Sequence, residues 1–472
     1  MPLTSAQPLP RLLFSAPHKS SGKTTITIGV CAALRGRDVT VQPYKKGPDY
    51  IDPMWLGQAA QQPCYNLDFN VQSRDEISAF FSRHSENCAL SIIEGNMGLF
   101  DSVDLDGSTS NAELAALLDT PVILIINVEG ATRSIVPIIQ GFIGFESKIN
   151  IAGVILNNIA GKRHEERLRK VINHYIDIPI VGAIHRNPDL VIDERHLGLV
   201  PSNESHEVDA KVAEIARIVE AQVDLNLLLK IADSAPQLHN TGQNSITPLT
   251  FSPLRIGIAQ DAAFGFYYPD DLEQFIELGA ELIPFSPLVD QQLPERLDGL
   301  FIGGGFPETH LAQLDSNQSM KASIAVAIES GLPCYAECGG LMYLSQGIEW
   351  QGEAASMVGV IPANCRVHKK PVGRGYARME TSEHHPWPFV DIDGEFPAHE
   401  FHYSELDQLS ADYPYAYRMI RGKGINGQND GVIYKNLLAN YIHLRSVGLT
   451  PWVQHFLTFV AEIRDNRLQS VS

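Results

Sequence analysis

The chain has 472 residues, of which 44% are hydrophobic and 19% are charged, and this is enough apolar material for two or three folded domains. Its net charge of −19 argues against nucleic acid as the main partner, because binding a phosphate backbone needs a basic surface. No stretch approaches the roughly 18 apolar residues that span a membrane. The six cysteines show no CxxC pair, so we expect a reduced, cytoplasmic protein.

The first part of the chain alternates short apolar runs with longer amphipathic stretches. The apolar runs are continuous rather than alternating, which is typical of parallel strands that are covered by helices on both faces. Helices are predicted directly after the first strand and at 111–120. The predicted strands are, in chain order, 12–15, 39–42, 89–95, 121–128 and 151–158. This pattern indicates an α/β domain over residues 1–230.

The segment SAPHKSSGKTT at 15–25 links the first strand to the first helix and ends like a P-loop. In that motif Gly22 lets the backbone approach a phosphate, Lys23 brings a positive charge to it, and Thr24 offers a hydroxyl to Mg²⁺. Pro17 stands where the pattern has its first glycine. A solvated lysine in an ordinary strand-to-helix turn is the alternative, and the position after a buried strand favours ATP binding.

Acidic residues follow two further predicted strands. Asp49 and Asp52 lie in the segment KKGPDYIDP, whereas Glu94 ends a buried strand and Asp101 lies in the loop after it. Ligands of open parallel sheets bind beyond the carboxyl ends of the strands, so Glu94 is a candidate Mg²⁺ ligand. The alternative is that these carboxylates cap helices or lie in turns. Basic residues that could meet the carboxylates of a substrate are Lys45, Lys46, Arg195 and Arg374.

A polar, proline-containing segment at 231–252 carries almost no charge and predicts an interdomain linker. A second α/β series follows over 253–460. A helix and then a strand are predicted within 272–287, and the other predicted strands are 254–260, 297–305 and 331–337. The sequence therefore predicts two α/β domains in tandem.

Cys338 stands between the last of these strands and a helix that begins near Gly339, an arrangement like the nucleophile elbow of hydrolases. A helix N-terminus can stabilise a thiolate, and its backbone N–H groups can bind an oxyanion. A buried and unreactive cysteine is the alternative, and this is what we expect of Cys334. The general base is left open among three histidines, namely His399, His402 and His443.

Taken together, the motifs resemble the cobyrinic acid a,c-diamide synthase family. Three segments, YAECGGLMYL, GGGFPE and HEFHYS, are similar to its class I glutamine amidotransferase domain. Four others, SSGKTT, KKGPDYIDP, EGNMGLFD and ERHLGLVP, are similar to its synthetase domain. The resemblance implies a P-loop fold like that of dethiobiotin synthetase in 1–230 and a glutaminase in 253–460. It also implies amidation of a tetrapyrrole carboxylate with ATP, Mg²⁺ and L-glutamine.

The resemblance implies a role for each residue of these motifs. In the glutaminase domain Cys338 is the nucleophile and His443 is its base. The oxyanion hole is formed by backbone groups near Gly304, Gly305 and Gly339. The nucleotide is bound by Gly22, Lys23, Thr24 and Thr25. The metal ligands are Thr24 and Glu94, and the residues that orient the substrate carboxylate and the phosphate are Asp49, Asp52 and Asp101.

Some features leave alternatives open. Many glutaminases of this class have a glutamate two residues after the histidine, but this chain has Arg445, for which the sequence offers no role. The segments 45–55 and 63–70 also fit enzymes that amidate sirohydrochlorin, nickel-sirohydrochlorin or sirohaem, and a cobyric acid synthase is a further alternative. A regulatory ATPase with an inactive glutaminase domain belongs to another class, and the intact Cys338 and His443 argue against it. A homodimer is also considered.

Overall fold

The computed structural model describes residues 9–195, 198–204, 207–238, 251–388, 394–407, 409, 413–448 and 450–471. It divides into two compact units, Met1–Asn244 and Ser245–Ser472. The division falls inside the predicted linker, of which residues 239–250 lie outside the described part. Within the described residues no helix is long and apolar enough to cross a membrane. All six cysteines are free thiols.

The N-terminal unit is built on a parallel sheet. Its strands are β1 (Arg11–Ser15), β2 (Val41–Lys46), β3 (Tyr65–Leu67), β4 (Leu90–Glu94), β5 (Val122–Asn127), β6 (Ile151–Ile159) and β7 (Ile180–His185), followed by the short pair β8 (Glu194–Arg195) and β9 (Gly198–Leu199). Among the described residues the sheet has the strand order β3-β2-β4-β1-β5-β6-β7, and every pairing in it is parallel. The second strand begins two residues later than predicted.

Helices cover both faces of this sheet, as the continuous apolar runs predicted. They are α1 (Lys23–Arg35), α2 (Ile51–Ala60), α3 (Arg74–Ser85), α4 (Asn111–Leu117), α5 (Ile135–Phe145), α6 (Lys162–Tyr175), α7 (Val208–Gln222) and α8 (Leu225–Asp233). Because side chains alternate along a strand, Leu12 and Phe14 pack with α1, α2, α7 and α8, whereas Leu13 packs with α3 to α6. Helix α8 continues three residues into the predicted linker because Ile231 and Ala232 are buried in the core.

The C-terminal unit contains a larger, mixed sheet and, among its described residues, two smaller sheets as well. Its strands are β10 (Leu254–Ala259), β11 (Phe264–Phe266), β12 (Ala280–Phe285), β13 (Gly299–Ile302), β14 (Gly304–Gly305), β15 (Cys334–Glu337), β16 (Ser345–Trp350), β17 (Glu353–Ser356), β18 (Ile361–Val367), β19 (Gly373–Thr381), β20 (Glu395–His402), β21 (Ser404–Asp407), β22 (Tyr415–Arg421), β23 (Asn429–Tyr434) and β24 (Leu437–Asn440). Its helices are α9 (Pro269–Glu277), α10 (Leu311–Ser316), α11 (Gln318–Glu329), α12 (Gly339–Leu344) and α13 (Trp452–Val471).

Within the described residues the main sheet of this unit has the order β12-β10-β13-β15-β24-β23-β22-β19-β20. The first five strands are parallel, and the pairings from β24 to β20 are antiparallel. A smaller sheet has the order β17-β16-β18-β21. Helix α13 extends beyond the predicted boundary at 460, since neither glycine nor proline interrupts residues 461–471.

Candidate active sites

The loop between β1 and α1 has the geometry of a phosphate-binding turn. Gly22 caps α1 with φ 88°, a left-handed value that favours glycine. A Cβ atom on Gly22 would fall 2.2 Å from Nδ2 of Asn157, and that Nδ2 donates to the carbonyl oxygen of Ser21 at 3.0 Å. Thr25 follows half-buried in the first turn of α1. The N-terminus of α1, where the backbone N–H groups are free to bind an anion, therefore follows a turn that only glycine fits.

The side chains of Lys23 and Thr24 reach the loop beyond β4 and the carboxylates beside it. The ammonium of Lys23 donates to the carbonyl oxygen of Met97 at 2.6 Å. The Thr24 hydroxyl donates to Oε1 of Glu94 at 2.7 Å and lies 3.2 Å from Oδ2 of Asp52. Burial lowers the pKa of Lys23, and the charge of Glu94 opposes this effect. The structure thus brings the P-loop residues together with two of the predicted acidic residues.

Lys45 lies inside the acidic cluster. Its Nζ atom is 2.5 Å from Oδ2 of Asp52, 2.8 Å from Oε1 of Glu94 and 3.7 Å from Oδ2 of Asp49. Burial alone would lower the pKa of Lys45, but the three carboxylates raise it well above its ordinary value. Burial, reinforced by Asp52, raises the pKa of Asp49 to about 7. The cluster therefore contains its own counter-ion.

The remaining basic residues that the sequence proposed for substrate binding lie in other surroundings. Lys46 is buried, and its burial lowers its pKa while Asp68 opposes that shift. The guanidinium of Arg374, in the other unit, lies 5.7 Å from the ring centroid of Phe401. The side chain of Arg195 lies outside the described part of the chain.

A magnesium ion would find suitable donors at this edge of the sheet. Glu94 is completely buried, and its Oε2 atom has no hydrogen-bond partner in the structure. In the described part of the chain no three His, Cys, Asp or Glu side chains form a metal site by themselves. An ion held here would therefore depend on Thr24, Glu94 and nucleotide oxygens, and Mg²⁺ accepts such a set of a hydroxyl, a carboxylate and phosphate groups.

Asp101 orders the loop after β4. Its Oδ2 atom accepts a hydrogen bond from the backbone N–H of Gly98 at 2.8 Å. Asn111 holds the same loop, because its Nδ2 donates to the carbonyl oxygens of Asn96 at 2.5 Å and Gly98 at 2.9 Å. Asn111 is also the first residue of the predicted helix at 111–120, and no sequence pattern indicated that its side chain would bind this loop. Asp101 is thus placed beside the Met97 carbonyl that binds Lys23.

Cys338 occupies a sharp corner between β15 and α12. Its φ and ψ are 46° and −100°, a conformation that L-residues rarely adopt, and its N–H donates to the carbonyl oxygen of Asn440 at 2.7 Å. Its side chain is buried at the start of α12. Burial, with smaller contributions from Glu308 and Glu337, raises the pKa of the thiol. This differs from the expected thiolate, since a helix of six residues does not outweigh desolvation.

His443 follows β24, the strand that pairs with β15, and is held by a carboxylate from that neighbour. Nδ1 of His443 lies 3.3 Å from Oε2 of Glu337. The other oxygen of Glu337 accepts from the Tyr335 hydroxyl at 2.6 Å and from the N–H of Leu444 at 3.0 Å. A carboxylate at Nδ1 favours the tautomer that carries its proton there, and in this tautomer Nε2 keeps its lone pair.

Glu337 was not predicted from the sequence. An acidic partner for His443 was sought two positions after it, where this chain has Arg445. The available signal was a charged residue at the end of an otherwise apolar strand, directly before Cys338. The parallel register places Glu337 opposite Asn440, three residues before the histidine.

The three glycines predicted for the oxyanion hole lie close to both catalytic candidates. A Cβ atom on Gly304 would fall 2.9 Å from Cε1 of His443. A Cβ atom on Gly339 would fall 2.9 Å from the backbone nitrogen of Gly305. The two backbone segments therefore approach each other so closely that side chains are excluded, and their N–H groups lie near Cys338.

The other two candidate bases differ from His443 in their partners. The ring of His402 stacks on Tyr441 with centroids 4.0 Å apart, and its Nδ1 bonds the carbonyl oxygen of Ser404 at 2.7 Å. His399 lies against His443 itself. His443 is thus the histidine that combines a contact to Glu337 with a position beside Gly304.

Comparison with known proteins gives the same two-part division. Residues 16–200 match the CobQ/CobB/MinD/ParA nucleotide binding domain, and residues 255–447 match the CobB/CobQ-like glutamine amidotransferase domain. A cobyrinate a,c-diamide synthase from Magnetococcus marinus is 43% identical over 459 residues, which cover 96% of this chain and 98% of that protein. Proteins of the same name from Dehalococcoides mccartyi and Methanosarcina acetivorans are 41% and 38% identical, over 94% and 98% of this chain and 96% and 98% of theirs. The predicted fold class is confirmed.

Proposed function

Because the chain belongs to the cobyrinate a,c-diamide synthase family of glutamine-dependent amidating ligases, we propose that it amidates the a and c acetate side chains of a cobyrinate-type tetrapyrrole. The nitrogen comes from glutamine, and ATP activates the acid. The observation that carries this proposal is that one chain contains both a P-loop lined by carboxylates and a thiol corner with a histidine held by Glu337. A carboxylate is a poor electrophile, so amidation needs both activities.

In the glutaminase half, Cys338 attacks the side-chain amide of glutamine. A new carbon–sulfur bond forms, and the thiol proton passes to Nε2 of His443. His443 then returns this proton to the departing nitrogen, so that ammonia leaves and a thioester remains. Water hydrolyses the thioester to glutamate. Burial raises the pKa of the thiol, so Cys338 needs a base to take its proton, and Glu337 stabilises the imidazolium that forms on His443.

Backbone N–H groups stabilise the oxyanion of that reaction. The tetrahedral intermediate places negative charge on the former amide oxygen, and donors already fixed in place lower its energy. The segment containing Gly304 and Gly305 and the N-terminus of α12 at Gly339 lie near Cys338 and His443. We assign the oxyanion hole to these segments, because their close packing fixes the donors before the substrate binds.

In the synthetase half, a substrate carboxylate oxygen attacks the γ-phosphorus of ATP. This gives ADP and an acyl phosphate, and ammonia then displaces phosphate to leave the amide. Lys23 and the N–H groups of the Gly22 turn bind the phosphates, and Asp49, Asp52 and Asp101 orient the reacting acid. Mg²⁺, held by Thr24 and Glu94, supplies positive charge to the phosphate oxygens when it is bound.

The division of labour can be tested with Cys338→Ser. We expect glutamine-dependent amidation to fall about a thousandfold or more, because serine is a much weaker nucleophile here, while amidation with ammonium salts continues. Product is scored by the mass change of cobyrinate, with ATP and Mg²⁺ present. Cys334→Ala is the matched control, since this buried thiol lies on β15, the strand that leads to Cys338, and should be dispensable for glutamine use. Equal loss of both nitrogen sources in Cys338→Ser would refute the assignment.

The identity of the macrocycle is tested with a panel of substrates. Cobyrinate, sirohydrochlorin, nickel-sirohydrochlorin and sirohaem are each incubated with glutamine, ATP and Mg²⁺. We expect amidation of cobyrinate at two positions, in keeping with the names of the related proteins. Preferential amidation of another member of the panel would contradict the substrate proposed here, although the reaction type would stand.

A further inference from the structure

His399, in the segment HEFHYS, is joined to His443 through both main chain and side chain. The N–H of His443 donates to the carbonyl oxygen of His399 at 2.8 Å, and the N–H of His399 donates to the carbonyl oxygen of His443 at 3.4 Å. The two rings are stacked, with centroids 4.9 Å apart and an interplanar angle of 16°. Both side chains are buried. The face of the His443 ring is therefore covered by a second imidazole.

A row of polar groups lies behind His399. Its Nδ1 is 3.4 Å from the hydroxyl of Tyr268, which comes from the segment before α9. The guanidinium of Arg445 lies 5.2 Å from the centroid of the Tyr268 ring. Arg445 is itself fixed, because its Nε donates to Oδ2 of Asp270 at 3.0 Å. Arg445, which had no role in the sequence, thus packs against the tyrosine that contacts His399.

The charges around His399 disfavour its protonation. The titratable and charged groups that approach it include Tyr268 from one segment, and His443 and Arg445 from another. On the neighbouring strand β19, Tyr376 is paired directly with His399. Burial lowers the pKa of His399 well below its ordinary value, and the charges of His443 and Arg445 act in the same direction. His443, in contrast, has a carboxylate at Nδ1. Its surroundings therefore keep His399 neutral, whereas Nδ1 of His443 faces the carboxylate of Glu337.

We propose that His399 is a positioning residue for the glutaminase reaction, whose neutral ring covers His443, fixes its plane and excludes water from it. Tyr268 and Arg445 support this arrangement from behind. Glu337 at Nδ1 and His399 on one face then hold the His443 ring, and the backbone of Gly304 lies close to Cε1. The inference rests on the proposed role of His443 as the base.

The test compares His399→Ala with His399→Phe in the full-length protein. We expect His399→Ala to lower kcat for glutamate release about tenfold to a hundredfold, because a misplaced base costs that much, with little change in KM for glutamine. Water admitted beside His443 would stabilise the imidazolium, so the acidic limb of the pH profile should move to higher pH. His399→Phe keeps a flat ring in place, so the acidic limb should stay at its wild-type pH and most of kcat should be retained.

Two controls make the outcome specific. Ammonia-dependent amidation of cobyrinate reports the other unit and should be unchanged in every variant. His402→Ala removes another buried and stacked histidine of β20 and should leave the acidic limb where it is. Tyr268→Phe is a milder variant for use if His399→Ala fails to fold, because it removes only the hydroxyl beside Nδ1 of His399. It should also move the acidic limb of the pH profile to higher pH.

Several results would overturn the inference. One is an acidic limb of the pH profile in His399→Ala that is unchanged from wild type. Another is an equal loss of kcat in His399→Phe and His399→Ala. The third is a shift of the acidic limb in His402→Ala as large as that in His399→Ala. Absence of glutamate release from the wild-type protein would instead refute the proposed function itself, so the two failures can be distinguished.

Discussion

The two candidate sites are organised by different forces. In the N-terminal unit the functional side chains are held by charge, with Lys45 paired to Asp52 and Glu94. In the C-terminal unit the proposed nucleophile, Cys338, is held by the backbone, since its φ is left-handed and two glycine segments beside it leave no space for a Cβ atom. We therefore expect the first site to be sensitive to changes of charge and the second to changes of shape.

The largest effect expected at the N-terminal site comes from removing a charge, in Lys23→Ala. Loss of its ammonium removes stabilisation of the transferring phosphate, so amidation should fall about a hundredfold or more with either glutamine or ammonia. Mass analysis of cobyrinate measures both activities. Lys170→Ala, on the exposed surface of α6, is the matched control and should behave as wild type. Survival of ammonia-dependent activity in Lys23→Ala would contradict a phosphate-binding role.

A change of shape alone should damage the second site. In Gly304→Ala the new Cβ atom meets Cε1 of His443 at 2.9 Å, so the imidazole must move. We expect glutamate release to fall about tenfold to a hundredfold while ammonia-dependent amidation is retained. Gly394→Ala is the control, because a Cβ atom there has no neighbour within 4 Å. Equal activity of the two variants would show that shape does not control this site.

A smaller effect concerns the pH dependence of stability in the C-terminal unit. Asp430 accepts the N–H groups of Tyr441 and Ile442 at 3.1 and 2.9 Å, and so anchors the chain that leads to His443. Burial raises the pKa of Asp430 from 3.8 to about 6, although its backbone hydrogen bonds oppose this shift. Between about pH 4 and 6 the folded state binds a proton that the unfolded state has released, so stability falls as pH rises.

Asp430→Asn cannot titrate and should flatten this slope. The change in unfolding free energy across the window should shrink by about 2 kcal/mol, since each pKa unit corresponds to about 1.4 kcal/mol. Urea unfolding at several pH values, followed by tryptophan fluorescence, measures it. Asp465→Asn, at an exposed carboxylate of α13, should keep the wild-type slope. An undiminished slope in Asp430→Asn would contradict the raised pKa.

Features that depend on local pattern could be predicted from the sequence, whereas features that depend on tertiary contacts could not. Continuous apolar runs indicated the parallel strands, because burial on both faces removes alternation. The P-loop and the Cys338 corner were found because their residues are adjacent in the chain. Glu337 was not predicted as the partner of His443, because these two residues are 106 apart in the chain and only the pairing of β15 with β24 brings them together. The strands β16 to β23, which pair antiparallel except for β16 with β18, also went unpredicted.

The position of Lys45 has a consequence for how a nucleotide would bind to the N-terminal unit. An empty pocket with three bare carboxylates would repel an incoming polyphosphate, but here an internal cation screens them in advance. A metal ion that arrived with ATP would therefore meet carboxylates whose charge is already partly neutralised, and it would compete with Lys45 for Asp52 and Glu94.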